Sequence, residues 1–186
     1  MYGLVNKALQ EMVEQHYGPE TWEIVRKNAD VADDVFISMD AYPDEFTYRL
    51  VGALCEVTGQ ASDNVLHAFG RHWVLDTAAH HYGQLLNASG RTFREFLLAL
   101  PNFHARVSLI MPRLIPPEFA CEELGDRRLI LHYRSTRLGL VPFVEGLIQG
   151  LADLFRVEAT TAILPARSEG PGHAVFAVAW TERSGG

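Results

Sequence analysis

Tyr133, Ser135 and Arg137 alternate along the stretch Leu131-His132-Tyr133-Arg134-Ser135-Thr136-Arg137. On an extended backbone, side chains at alternate positions point the same way. A phenol, a hydroxyl and a guanidinium would then line one face. Together they offer several hydrogen-bond donors and one permanent positive charge. Such a set suits a carboxylate or a phosphate, which arginine grips through two parallel bonds. Taken alone the triplet is short, and a polar cluster at a strand end fits it as well. His104 is the second residue of interest. Its helical neighbours are Leu100, Pro101, Val107 and Ser108, and Leu97, Leu98 and Met111 continue that side. An imidazole on an oily face either meets a polar partner in the core or ligates something apolar and large.

Other chemistries find little support. Of the eight histidines, His80 and His81 are adjacent and diverge on a helix, while His67 and His72 are five apart and share no face. No His-x-Glu, Cys-x-x-Cys or His-Glu-x-x-His pattern marks a zinc site, and neither a Gly-x-Ser-x-Gly elbow nor a phosphate-binding loop is present. The net charge of -7 argues against nucleic acid and anionic membrane, both of which want basic patches. Two cysteines, Cys55 and Cys121, are too few for a disulfide scaffold. No apolar run approaches ~20 residues and no signal peptide opens the chain, so a cytoplasmic protein is expected.

The elements that must position these residues follow from periodicity. Apolar residues Leu4, Val5, Ala8, Leu9, Met12 and Val13 have helical spacing, stopped by Gly18-Pro19. Thr21 is read as the cap of a second helix, followed by an acidic connection over 30–34. Further helices are expected over Asp44–Thr58 and from Ser62 to His80 or His81, then a looser connector over 83–90. Thr92 and Glu95 form a capping box. After Pro101 a new helix is expected, capped by Asn102, carrying His104 and ended by Pro112, Pro116 and Pro117. The period then falls to two. Residues 119–123 and 128–133 read as a hairpin around Gly125-Asp126, followed by a helix over Pro142–Phe155 and strands over Val157–Leu164 and His173–Trp180 joined by a Gly/Pro/Ser turn. The fold class is α+β, a helical N-terminal subdomain plus a C-terminal subdomain with antiparallel sheet and a helix. The 186 residues make a single domain, with a helical lobe over about 1–60 and a proximal and sheet lobe over about 61–186.

Taken together, the segments resemble a known family. Asn102-Phe103-His104-Ala105-Arg106, Pro116-Pro117-Glu118-Phe119 and Tyr133-Arg134-Ser135-Thr136-Arg137 resemble the haem-binding signature of H-NOX domains. These are bacterial relatives of the haem-sensing domain of soluble guanylate cyclase. The opening Met1-Tyr2-Gly3-Leu4-Val5-Asn6-Lys7 and Ala68-Phe69-Gly70-Arg71-His72-Trp73 are similar too. The resemblance covers essentially the whole chain in order. It implies a haem b buried between the subdomains, with His104 as proximal iron ligand. It implies that Tyr133, Ser135 and Arg137 hold the propionates and that Pro117 presses on the porphyrin.

The resemblance also implies a reading of gas selectivity. Oxygen-binding members carry a distal tyrosine; the matching stretch Gly139–Leu147 has none, and Phe143 is the best match. Val5, Leu9, Trp73, Phe143 and Leu147 would form a mainly apolar distal wall, with the Trp73 indole as one candidate donor. The expectation is a sensor, not an enzyme, that binds NO and CO and excludes O2. NO would weaken the bond to His104 and let the proximal helix move relative to the Tyr133–Arg137 lobe. The chain ends soon after Trp180, so the output is expected in a separate histidine kinase or cyclic-di-GMP enzyme. The alternatives are an O2 or redox sensor with the same pocket, a haem-free small-molecule binding adaptor, and a haem enzyme such as a peroxidase using His72.

Overall fold

The computed structural model describes residues 1–32, 35–165, 170 and 172–183. Parts of two expected connections, the acidic one at 33–34 and the Gly/Pro/Ser turn at 166–169 and 171, lie outside the described residues, as do 184–186. In chain order the elements are α1 (Gly3–Tyr17), α2 (Pro19–Asn28), α3 (Asp44–Thr58), α4 (Ser62–His72), a π-helical turn (Trp73–Ala78), α5 (Ala79–Ser89), α6 (Phe93–Ile110), β1 (Glu118–Gly125), β2 (Arg128–Arg134), α7 (Val141–Leu154), β3 (Val157–Leu164) and β4 (His173–Glu182). The strands form one antiparallel sheet in the order β1-β2-β4-β3. The architecture is α+β, as the periodicities imply.

Two apolar cores account for the division into subdomains. Leu9, Val13, Trp22, Val25, Leu50 and Leu54 fill the first, among α1, α2 and α3. Leu97, Leu129, Leu131, Ile148, Phe176 and Val178 fill the second, between the sheet and α6 and α7. α4 belongs to the first core through Val65, Leu66 and Phe69, whereas Val74, one turn on, belongs to the second. The transition between cores therefore falls inside a continuous helical run and not near residue 60. The same run passes through the π turn, a feature common where a helix must shift its register.

α4 and α7 cross with almost no side chain between them. A Cβ on Gly146 would stand 2.1 Å from the His67 carbonyl oxygen, and one on Gly70 would stand 2.1 Å from that of Phe143. In an open helix, alanine for glycine stabilises by up to ~1 kcal/mol. At this crossing the sign reverses, because backbone must move. Gly146→Ala is expected to destabilise the chain by about 3 kcal/mol, the upper range for overpacking, in a urea melt. An unchanged or raised midpoint would show the crossing to be loose.

Three local readings are corrected. Pro19 does not merely stop α1 but opens α2 at its first position, where a missing N–H costs nothing. Thr21 does not cap that helix; its hydroxyl donates to the Tyr17 carbonyl at 2.8 Å. Residues 83–89 are helical, with the irregularity confined to Tyr82 (φ -129°, ψ 20°). The Thr92 cap is present, accepting from the Glu95 N–H at 3.2 Å, and the Glu95 carboxylate takes the Arg91 N–H at 2.8 Å.

The largest difference concerns α6. No helix starts after Pro101; α6 runs unbroken from Phe93 to Ile110 with Pro101 inside it. Proline removes the N–H that would bond the carbonyl four residues back, here Leu97. That carbonyl is met from outside the helix, by the Cys121 thiol of β1 at 3.2 Å. A donor from a neighbouring strand thus replaces the one the sequence lacks.

Candidate functional site

A cavity of about 230 Å³ opens between the two cores. His104, Pro117, Tyr133, Ser135 and Arg137 all line it. A smaller cavity of about 90 Å³ adjoins it and shares Trp73, Phe103, His104, Phe119 and Leu147.

His104 reaches the cavity from α6, one turn after Pro101. Its Nδ1 lies 3.0 Å from the Leu100 carbonyl. A carbonyl can only accept, so Nδ1 carries the proton and Nε2 keeps a lone pair. Nε2 has no hydrogen-bond partner among the described residues. Burial pushes the imidazole below its ordinary pKa, against the opposing effect of the Leu100 bond, so the ring is neutral at neutral pH. Phe119 and Phe103 fix its plane, with ring centres 5.1 and 5.5 Å away. A neutral, oriented imidazole with one nitrogen engaged by a carbonyl is the form in which histidine binds metal.

The anion-binding end is assembled differently from the sequence expectation. Only Tyr133 lies on β2; Ser135 and Arg137 follow it in a bend. Strict alternation on one strand therefore does not bring them together. The bend does. The Ser135 N–H donates to the Gly172 carbonyl at 2.9 Å, and the Ser135 hydroxyl accepts the Arg137 N–H at 3.0 Å. Gly172 has a φ of +94°, and a Cβ there would meet the Ser135 carbonyl oxygen at 2.1 Å. Glycine is required on both counts. Burial pushes the Tyr133 phenol up, with the Ser135 hydroxyl and the Arg137 charge opposing it, so it stays a donor.

The guanidinium of Arg137 is shared. Its Nε donates to Asp44 Oδ2 at 2.8 Å, its Nη2 to Oδ1 at 3.4 Å, and its Nη1 to the Ile115 carbonyl at 2.8 Å. Among the described residues three of the five N–H groups are used, and one remains on each Nη. Those two N–H groups are available to a second carboxylate. Asp44 also accepts from the ammonium of Met1. Burial alone would raise the Asp44 carboxyl; the bonds and charges of Met1 and Arg137 more than offset it and hold it below the usual value. Nothing local in the sequence marks Asp44, which reads as an ordinary acidic residue in the first turn of α3. Nearby, the Tyr48 hydroxyl donates to the Leu138 carbonyl at 3.1 Å.

Of the expected distal wall, Val5, Trp73, Phe143 and Leu147 line the cavity. Leu9 does not; it is fully buried in the N-terminal core, one turn further along α1 than Val5. Tyr2 and Tyr82 line the cavity and were not foreseen. Tyr2 accepts the Arg113 N–H at 2.9 Å. The Tyr82 hydroxyl has no hydrogen bond among the described residues, and burial pushes it up. The only sequence signal for it was an aromatic just past the expected end of a helix, at His80 or His81. His72, considered for acid–base work, is not among the lining residues; its Nδ1 lies 3.2 Å from Asp76.

These features fit a haem. Apolar walls suit the porphyrin faces, a neutral Nε2 suits iron, and donors with a guanidinium fork suit propionates. Among the described residues no group of three or more His, Cys, Asp or Glu could hold a bare metal ion. No helix among them is long and apolar enough to cross a membrane.

Comparison with known proteins bears on the same residues. Positions 2–163 match the model of a family described as haem-NO-binding. Soluble guanylate cyclase gcy-31 of Caenorhabditis elegans is 32% identical over 165 residues, covering 88% of this chain and 24% of that protein. Soluble guanylate cyclase 89Db of Drosophila melanogaster is 26% identical over 170 residues, covering 91% and 25%. The chain thus spans about a quarter of the length of these relatives. Among solved structures, the Fe(II) unliganded H-NOX protein from K. algicida superposes with a TM-score of 0.86 at 23% identity, over 98% of each chain. An H-NOX protein from S. oneidensis in the Fe(II)NO ligation state gives 0.86 at 20% identity, over 98% of this chain and 100% of the other. At these identities the superpositions speak for the fold.

Proposed function

This chain belongs to the haem-NO-binding (H-NOX) family, and on that premise we propose that its cavity holds haem b with His104 on the iron. The family is one of haem-binding gas-sensor domains of the soluble guanylate cyclase type. The observation that carries the assignment is the His104 tautomer. Its protonated Nδ1 is committed to Leu100, and its Nε2 is open in a cavity whose one permanently charged side chain is Arg137. Tyr133, Ser135 and the two remaining N–H groups of Arg137 bind the propionates, and Pro117 presses on the porphyrin. Bound haem would supply a ferrous iron able to take a diatomic gas.

Val5, Phe143 and Leu147 carry no hydrogen-bond donor, and the stretch Gly139–Leu147, which matches the distal tyrosine of oxygen-binding members, carries no tyrosine. Bound O2 is strongly polarised and depends on a donor, whereas NO and CO depend on one less. We therefore assign NO and CO as ligands, with O2 excluded. Exposing the ferrous protein to air tests this: no stable oxygenated spectrum is expected, while CO and NO each give one. A stable oxygenated form would overturn O2 exclusion, and Trp73 and Tyr82 would then be the two donors to replace.

The moving part in this proposal is the proximal helix α6, within the C-terminal lobe. α6 and Tyr133 share the C-terminal core, so His104 and the propionate residues do not sit on opposite lobes. The opposite lobe is α1 to α3, joined through Asp44. Phe103 on α6 and Phe119 on β1 hold the His104 ring between them, so a change at that ring would be felt as a shift of α6 against β1. A separate histidine kinase or cyclic-di-GMP enzyme reads the change, and its response cannot exceed its differential affinity for the two shapes.

A further inference from the structure

We propose that Cys121 is a positioning residue for the His104 helix, acting through the carbonyl that Pro101 leaves open. The inference rests on the reading of His104 as the iron ligand. It begins from a deficit in α6. Pro101 has no N–H, so the Leu97 carbonyl in the helix interior lacks its helical donor. A buried carbonyl without a partner is costly, and here the partner is supplied by β1. The Cys121 thiol donates to Leu97 at 3.2 Å. Only the protonated thiol can do this. Burial pushes Cys121 up to about 11, so the S–H persists across the physiological range.

The bond belongs to a row. Phe119, Cys121 and Glu123 are alternate residues of β1 and share a face. Phe119 lies against His104, Cys121 bonds Leu97, and Glu123 pairs with Arg94. β1 thus holds α6 at three points across more than two turns. The outer two contacts reach side chains. The middle one reaches the backbone, at the turn whose geometry the proline disturbs. One turn further along α6, the Leu100 carbonyl accepts a hydrogen bond from the Nδ1–H of His104. A change in the tilt of the Leu97–Pro101 turn therefore alters the direction of the imidazole. Cys121 sets that tilt without touching the cavity, since it is not among the lining residues.

The two residues are a matched pair, and a double-mutant cycle separates this from simple packing. Cys121→Ala removes the donor. Cys121→Ser keeps a donor of similar size. Pro101→Ala returns an N–H to Leu97 and makes the thiol redundant. Two readouts apply: the iron–histidine stretching band of the ferrous haem-loaded protein by resonance Raman, and the S–H stretching band by infrared, which needs no haem. Cys121→Ala is expected to shift the iron–histidine band and change the rate of NO-driven release of His104 by about fivefold, the size of one modest hydrogen bond. Cys121→Ser restores both. In the Pro101→Ala background the effect of Cys121→Ala vanishes, and the S–H band moves towards that of an unbonded thiol. Equal effects of Cys121→Ala in both backgrounds, or an S–H band indifferent to Pro101→Ala, overturn the proposal. Should the protein take up no haem, the Raman arm is blank and the haem assignment itself falls, while the infrared arm still decides the Cys121–Leu97 bond.

Discussion

Replacing His104 by glycine abolishes the protein's own bond to iron, and adding imidazole to the solution restores the ferrous spectrum. This is the largest single effect expected of any substitution in the chain. His104 is the one lining residue with an imidazole, its Nε2 has no other employment, and three aromatic or carbonyl contacts fix its direction. Loss of an outer partner of a metal ligand costs a site roughly 10–100-fold in affinity, so loss of the ligand itself should cost more. Glycine leaves a space between Phe103 and Phe119 that a free imidazole fills. That imidazole is not tethered to α6, which gives the experiment a second reading. With imidazole present, gas binding should recover while any gas-dependent change in α6, followed by amide exchange over 97–110, should not. Ferrous spectra identical to wild type in His104→Gly without imidazole would remove His104 from the site.

Arg137→Ala should release haem about tenfold faster to a competing apoprotein and should also loosen the join between the two cores. The estimate takes one charged hydrogen-bond pair, reduced for partial solvent exposure. The second effect follows from the sharing of the guanidinium. Without it Asp44 keeps only the Met1 ammonium, and the Ile115 carbonyl loses its donor. Arg137→Lys keeps the charge but cannot serve Asp44, Ile115 and a propionate at once, so an intermediate rate is expected. The pH dependence has a definite sign. The Asp44 carboxyl is held below its ordinary value, so its contribution to stability is present above the unfolded value of about 3.9. It is lost as pH falls through the depressed folded value. Wild type and Arg137→Ala should therefore differ most above about pH 4 and converge in stronger acid. Equal haem release by the two proteins at neutral pH would argue against propionate binding by Arg137.

The lining of the cavity was legible where its information is local. His104 reads as an imidazole among leucines, open to a core partner or a ligand, and it lines the cavity. The Tyr133, Ser135 and Arg137 triplet stands out by residue type, although a bend and not a strand gathers it at the cavity. The switch from helical to alternating periodicity placed the sheet within one or two residues. What escaped depends on tertiary partners. Asp44 meets Arg137 across 93 positions, and no pattern near either residue signals the other. Pro101 reads as a helix start because its missing bond is counted locally, and the compensating Cys121 is on another element. Leu9 was expected at the cavity and lies in the N-terminal core, since helical spacing says that a face is apolar without saying which core it meets. For the same reason the two apolar cores meet beyond the division expected near residue 60: one helical run serves both.

Asp44 and Ile115 fix the Arg137 guanidinium through contacts within the chain itself. The cost of withdrawing that side chain from water and stilling it falls on the folding of the polypeptide, so an anion that meets the guanidinium does not bear it a second time.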